Sequence, residues 1–286
     1  MARYGNFPEN FTLYDNSKIV ILPVPYDGTS TWIKGADKGP DALLDASHYL
    51  ENYDIETNSE PYNLGIHVTS PVTEYSSPDA MVVVVKTRVS ELIRDKKMIA
   101  IIGGEHSVSI GSVQAHCEYY PNLSVIQLDA HGDLQDVYHG SKYNHGCVMA
   151  RVKETCPFVQ VGIRSMDIAE EKNITRERVF FAENIYDHNR WMNKAVSLLS
   201  NNVYITIDLD VFELGSMMST GTPEPGGLGW YQVIRLLKKI VSKKNVVGFD
   251  IVELCPKEVN KASNFLAAKL LYKILAYIYT KKQTVN

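Results

Sequence analysis

The chain lacks a surplus of positive charge. Its 286 residues carry 29 Lys plus Arg against 33 Asp plus Glu, a net charge of -4. Neither a nucleic-acid backbone nor an anionic membrane would meet a basic surface here. Long apolar runs are missing too. None approaches the roughly 20 residues of a membrane span, and the best candidate, 270–279, is interrupted by Lys273 and reads as a core helix. Cysteine is scarce: Cys117, Cys147, Cys156 and Cys255 form no CxxC pair. That excludes a small disulfide scaffold and makes a reduced, cytoplasmic protein the expectation. Residues 1–15 hold one Arg and no apolar centre, so no secretory signal is expected. Low-complexity linkers and internal repeats are absent as well. Against these absences stands ordinary globular composition, 45% hydrophobic and 22% charged. One domain over 1–286 is the expectation.

Apolar runs recur with helix-length stretches between them. Strands are predicted at 19–24, 98–102, 123–128, 158–163, 203–207 and 246–252, with weaker candidates at 62–68 and 178–182. Helices are predicted at 78–97, 108–119, 187–200, 231–243 and 261–281, and Pro40 suits the first turn of another. Continuous apolar strands, rather than alternating ones, indicate a sheet covered on both faces. Their alternation with helices indicates parallel βαβ units.

Polar motifs follow four of these runs. Gly103-Gly104-Glu105-His106-Ser107 follows 98–102, Asp129-Ala130-His131-Gly132-Asp133 follows 123–128, Asp208-Leu209-Asp210 follows 203–207, and Glu253 closes 246–252. Ligands of open parallel sheets bind beyond the carboxyl ends of the strands, so all four motifs fall on one edge. In an extended segment, Asp129, His131 and Asp133 point to one face. Singly, each motif has a plainer alternative: capping Asp residues in a turn, or a structural histidine. Jointly they gather four carboxylates and two imidazoles. Like charges packed in a desolvated cleft repel, and two divalent cations would cancel them. Oxygen-rich ligands with one His per metal favour a hard or borderline ion such as Mn²⁺, and such a pair activates water. His145 could carry protons near neutral pH. His139 could touch substrate. Glu253 could cap a helix, or pair with a cationic substrate group; Asp250 faces a similar choice. The stretch 220–228 reads as a tight loop and no more.

These motifs resemble the ureohydrolase superfamily, which includes arginase, agmatinase, formimidoylglutamase and guanidinobutyrase. The resemblance runs nearly end to end, from Pro23-Val24-Pro25-Tyr26-Asp27-Gly28-Thr29-Ser30 through Asn144-His145-Gly146-Cys147, Val161-Gly162-Ile163-Arg164-Ser165 and 220–228 to Asp250-Ile251-Val252-Glu253. It implies a three-layer α/β/α fold around a mostly parallel eight-stranded sheet, and two Mn²⁺ per chain. By position, His106, Asp129, Asp133 and Asp208 would hold one ion; His131, Asp129, Asp208 and Asp210 would hold the other. His145 matches a proton-shuttling histidine, Asp133 would orient the water, and Glu253 would pair with a guanidinium. Three departures stand out: Glu105 where the family usually has Asp, Phe212-Glu213-Leu214 where Leu-Asp-Pro is common, and Asn144 where Ser is frequent. Gln135, with Tyr138 and His139 in the following loop, does not resemble an arginase head-group clamp. The spelling is most similar to prokaryotic, archaeal-type agmatinases. The implied activity is hydrolysis of agmatine to putrescine and urea by a homo-trimer or homo-hexamer. Aminopropylagmatine, guanidinobutyrate, arginine and formimidoylglutamate are alternative substrates. A cysteine-dependent guanidine hydrolase built on Cys147 and His145, and a non-catalytic guanidine- or polyamine-binding protein, are the rivals.

Overall fold

A computed structural model describes residues 2–284. Of the domain expected over 1–286, residues 1, 285 and 286 lie outside the described residues. Eight strands form one sheet: β1 (Ile19–Val24), β2 (Ile66–Val68), β3 (Met98–Gly103), β4 (Leu123–Leu128), β5 (Phe158–Ile163), β6 (Val179–Phe181), β7 (Asn202–Asp208) and β8 (Asn245–Val252). Their spatial order is β2-β1-β3-β8-β7-β4-β5-β6, and every pairing is parallel. Among the described residues, seven α-helices accompany them: α1 (Gly39–Ser47), α2 (Pro78–Arg94), α3 (Val108–Tyr119), α4 (Val148–Lys153), α5 (Trp191–Ser197), α6 (Trp230–Lys243) and α7 (Ala262–Thr284).

Two separate cores make the three layers. Ile19 and Ile21 of β1 pack with Leu43 of α1, Trp191 of α5, Leu237 of α6 and Leu271 of α7. Val20 and Leu22, alternate residues of the same strand, pack with Val85 of α2, Val113 of α3 and Met149 of α4. A strand buried on both faces favours apolar residues on both, which is why β1, β4 and β5 read as largely apolar runs; Ser124, Gln127 and Gln160 are buried exceptions, and Gln160 Nε2 donates to Gln127 Oε1. The predicted α/β/α class is therefore correct. Lys273 sits inside α7, buried and paired with Asp54 and Glu56, so 270–279 is a core segment. Among the described residues, no helix is long and apolar enough to cross a membrane.

Several boundaries differ from expectation. The predicted strand 62–68 contributes only Ile66–Val68. Pro61 starts a 3₁₀ turn, and Gly65 takes φ 71°, which ends it. The predicted helix 187–200 shrinks to Trp191–Ser197, whose buried face is Trp191, Met192, Ala195 and Val196. Residues 187–190 are exposed and bury nothing that would hold a turn of helix. The six-residue α4 escaped the sequence reading.

The four central strands, β3, β8, β7 and β4, carry the four motifs at their carboxyl ends.

Candidate active site

Each motif is held by a specific turn. Gly104 leaves β3 so close to the β1 tip that a Cβ there would lie 1.8 Å from the Tyr26 carbonyl oxygen; no other residue fits. Beyond it, the His106 backbone N–H donates to Glu253 Oε1 at 2.8 Å, and the Glu253 N–H donates to the Gly104 carbonyl at 2.8 Å. The ends of β3 and β8 are thus locked together. Asp129 Oδ1 accepts the His131 N–H at 2.6 Å, and Asp210 Oδ1 accepts the Ala130 N–H at 2.9 Å. Asp208 caps a 3₁₀ turn over Leu209–Val211 by accepting the Asp210 N–H at 2.8 Å. Capping and cluster membership, alternatives in the sequence, coexist in Asp208. The motif 129–133 is not a simple extended segment. β4 stops at Leu128, and Asp133 adopts φ 53°. Glu253 adopts φ 65°. Left-handed backbone at two non-glycine residues is held by its surroundings and is concentrated at functional sites.

The side chains converge. His106 Nδ1 lies 3.1 Å from Asp129 Oδ2, 3.0 Å from Asp133 Oδ2 and 3.5 Å from Asp208 Oδ2. His131 Nδ1 lies 2.8 Å from Asp210 Oδ2 and 3.6 Å from Asp129 Oδ1. His106, Asp129 and Asp208 form one triad of metal-ligand atoms. Asp129, His131 and Asp210 form a second, with Asp129 common to both. Although three carboxylates surround it, His106 Nδ1 has no aligned hydrogen-bond partner. In each triad the ligand atoms lie within 4.8 Å of one another, close enough to share one cation. Four carboxylates with two imidazoles are a fitting ligand set for hard or borderline divalent ions.

Electrostatics agree with that reading. Burial opposes charge on the imidazoles, yet the close carboxylates of Asp129 and Asp133 leave His106 well above the ordinary histidine range. His131 is likewise raised against burial, chiefly by Asp210. Burial and then Asp129 push Asp133 up to about 6. Burial with Asp210 raises Asp208, and burial with Glu105 raises Glu253. The cluster concentrates more buried negative charge than two imidazoles offset, and cations would relieve it.

Two hydrogen-bonded chains support the histidines. His106 Nε2 faces Thr206 Oγ1 at 2.8 Å, and that hydroxyl donates to Asp250 Oδ1 at 2.7 Å. Asp250, ambiguous in the sequence, therefore acts through Thr206. His145 Nδ1 faces Thr29 Oγ1 at 3.2 Å, and that hydroxyl donates to Glu105 Oε1 at 2.8 Å. In both, the hydroxyl proton is committed to a carboxylate. The facing ring nitrogen is thereby assigned as the donor, and the opposite nitrogen is left to the cleft. Burial, then the charge of His131 and His106, pushes His145 down to about 4.

These groups open into a cleft of about 210 Å³ lined by His106, His131, Asp133, His145 and Glu253. Gln135 and Tyr138 also line it; His139 does not. His139 is exposed at φ 46° and packs on the Tyr138 ring at 4.4 Å. Cys147 is fully buried outside the lining. Its Sγ lies 3.7 Å from the Ser141 carbonyl, and burial pushes its thiol up to about 11, so it is no nucleophile for the cysteine-dependent rival. The sequence reading missed the wall formed by Ser165, Met166, Asp167 and Glu170. Glu170 is 4% exposed, its Oε2 has no partner, and burial then Asp133 push it up to about 7. A Cβ at Gly132 would lie 2.4 Å from that oxygen, so the glycine between His131 and Asp133 makes room for Glu170. The loop 220–228 proves functional in placement. Arg164 Nη2 donates to the carbonyls of Asp210 and Glu224 at 2.6 and 2.7 Å, and Thr222 lines the cleft.

A parallel eight-stranded α/β/α sheet with these Asp and His clusters at its central carboxyl edge defines the ureohydrolase class of amidinohydrolases. The arginase family model matches residues 17–276, and the chain belongs to that family. It is similar to an N(1)-aminopropylagmatine ureohydrolase of Synechocystis sp., with 38% identity over 94% of this chain and 92% of the relative. It is also similar to an agmatinase of Pyrococcus horikoshii, with 36% identity over 90% of each chain. Among solved structures, the agmatine ureohydrolase of Thermoplasma volcanium superposes with a TM-score of 0.87 at 30% identity, covering 96% of this chain and 94% of that one.

Proposed function

We propose that this enzyme hydrolyses the guanidine group of an agmatine-type polyamine, releasing urea, with two Mn²⁺ bound per chain. His106, Asp129, Asp133 and Asp208 would hold one ion, and His131, Asp129, Asp208 and Asp210 the other. When bound, the ions supply Lewis-acid charge and acidify water. The chain's own residues do the rest. Glu253, with Oε1 tied to the His106 N–H, presents its carboxylate to the guanidinium and aligns it over the cluster. Asp133 orients the attacking water. His145, presenting Nε2 to the cleft, exchanges protons with the leaving amine.

One observation carries the reading: two metal-ligand triads sharing Asp129 open into the same cleft as Glu253. The substrate tail follows from the opposite wall. Glu170 and Asp167 are acidic, and among the described residues no Arg or Lys lines the cleft, so a cationic tail is matched and an α-carboxylate is not. The sequence motifs favour agmatine. The name of the Synechocystis relative favours N(1)-aminopropylagmatine, whose hydrolysis would leave spermidine in place of putrescine, and we adopt that longer substrate with agmatine as the second reading. We place the enzyme in the cytoplasm, in polyamine biosynthesis, as a homo-trimer or homo-hexamer, on the family resemblance. The test is Mn²⁺-reconstituted protein with N(1)-aminopropylagmatine, agmatine, guanidinobutyrate and arginine, read as urea, with formimidoylglutamate read as formamide. Activity on the first two above arginine is expected. A preference for arginine would overturn the tail assignment, and no release from any of them would overturn the enzyme reading.

A further inference from the structure

Two cysteines stand apart from the cleft and close to each other. Cys117 lies in the last turn of α3, and Cys156 lies between α4 and β5, just before Pro157. Thr155 Oγ1 is 3.6 Å from Cys117 Sγ and 3.9 Å from Cys156 Sγ. Both side chains pack, partly buried, on the core shared by α2, α3 and α4. The two thiols thus flank one hydroxyl, and the neighbouring Cys156 brings Cys117 down to about 7. The other two cysteines lie apart from this pair. Cys147 and Cys255 are buried, face the carbonyls of Ser141 and Lys34, and are raised by burial.

We propose that Cys117 and Cys156 form an oxidisable dithiol site that closes to an intramolecular disulfide when a peroxide attacks it. Cys117, the thiol lowered by its neighbours, is the nucleophile. Its sulfur attacks one oxygen of hydrogen peroxide, the O–O bond breaks, and hydroxide leaves to become water. The resulting Cys117 sulfenic acid is then attacked by the sulfur of Cys156. The S–S bond forms, and the sulfenic oxygen departs as water with the Cys156 proton. Two thiols lose two electrons, and one peroxide becomes two waters. A dithiol reductant reverses the step by thiol–disulfide exchange.

The placement gives the bond a consequence. The chain between Cys117 and Cys156 contains β4, Asp129, His131, Asp133 and His145, so the disulfide would close a loop around half of the cleft's chemistry. It would not block the cleft. α3 begins two residues after His106 and runs 12 residues, which puts its far end about 18 Å away. Constraining that loop in the unfolded chain resists unfolding while leaving turnover intact.

The experiment treats the full-length protein with hydrogen peroxide, alkylates remaining thiols, and counts them after denaturation. Four free thiols per chain should fall to two and return to four with dithiothreitol. A non-reducing peptide map should join Cys117 to Cys156. The melting temperature of the oxidised protein should rise by about 5 °C, with turnover unchanged. Cys117→Ser and Cys156→Ser should each abolish the cross-link and the rise. The wild-type peptide map decides the matter even if either variant folds poorly. Four thiols surviving peroxide, Cys117 halting at sulfinic acid without a cross-link, or a disulfide to Cys147, to Cys255 or between chains would each overturn the proposal.

Discussion

Replacing Thr206 by Val removes one hydroxyl and little volume, yet it should weaken cation binding from beneath the cluster. Thr206 on β7 stands beside Asp250 on β8 in the sheet. Its proton goes to Asp250 Oδ1 at 2.7 Å, in preference to Ser109 Oγ at 3.5 Å. Its lone pair faces His106 Nε2 at 2.8 Å. A cation at Nδ1 requires the ring's one proton to sit on Nε2, and Thr206 is what receives it. In Thr206→Val that proton has no acceptor in a fully buried site. Asp250 keeps the Tyr204 hydroxyl at 2.8 Å and the Ile207 N–H at 3.3 Å. An unsatisfied buried donor costs about 1–3 kcal/mol. Loss of such support to a metal-ligating histidine costs about 10–100-fold in metal affinity, or about 1.4–2.8 kcal/mol. The assay is Mn²⁺ affinity by competition with a calibrated chelator, with Thr206→Ser as the rescue that restores the hydroxyl. Wild-type affinity in the Val variant would refute the tautomer argument. Equal loss in the Ser variant would show that packing, not the hydrogen bond, matters at this position.

His145→Ala should lower kcat by about 10²–10⁴-fold with Mn²⁺ content retained; an unchanged kcat across pH would make His145 structural. Glu170→Gln should raise KM for a guanidine with a cationic tail by about 10-fold, the value of one charge-assisted contact, and spare a neutral-tailed guanidine; equal effects on both would remove Glu170 from tail recognition. Lys273→Met should destabilise the fold by about 3–5 kcal/mol in urea, because Asp54 would stay buried without its cation; a change below about 1 kcal/mol would contradict that. The same cluster sets an acid limit. Burial opposes it, but hydrogen bonds from Lys273, Lys238 and Tyr277 hold Glu56 down to about 2. A depressed carboxylate contributes stability above about pH 4.5 that is lost as pH falls toward 2. Glu56→Gln should therefore flatten the acid limb of a melting-temperature profile, and an identical limb would refute the assignment.

Legibility followed burial. β1, β4 and β5 were readable to the residue because both faces of each strand are covered, and Ser124, Gln127 and Gln160 are too few to break the apolar runs of β4 and β5. The motif residues were readable because Asp and His after such strands have few other reasons to recur. Strand order was not readable. β3 and β8 meet across more than 140 residues of chain, and nothing local to either announces the pairing. α4 was missed because six residues after a 3₁₀ turn show too little periodicity. Asp167 and Glu170 were missed for a related reason: Ile168–Asn173 is a 3₁₀ stretch. Its acidic residues read as surface until the fold turns one of them into the cleft. The buried chains through Thr206 and Thr29 had no signal either, since a threonine on a strand or in a loop is unremarkable until its neighbours are known.

The three departures from the family spelling acquire physical meanings that the sequence could not supply. Asn144 caps the turn at His145–Cys147, its side chain accepting the Gly146 N–H at 3.2 Å; Ser caps in the same way. Phe212-Glu213-Leu214 begins an irregular stretch that is anchored at its start. Phe212 bridges Leu228, and the Glu213 N–H donates to the Leu228 carbonyl at 3.0 Å, which seats the 220–228 loop against Asp210. Glu105 points away from the ligand atoms of His106. It accepts the Ser107 N–H at 2.8 Å, near the start of α3 where a carboxylate is favoured. It also accepts the Ser107 hydroxyl at 2.8 Å, and the Thr29 hydroxyl and N–H at 2.8 and 3.3 Å. The extra methylene of Glu over Asp lengthens the side chain that spans to the Thr29 loop, and Thr29 in turn holds His145. A change next to the ligand His106 therefore bears on the proton-handling side of the cleft, while the six ligand side chains keep their convergence.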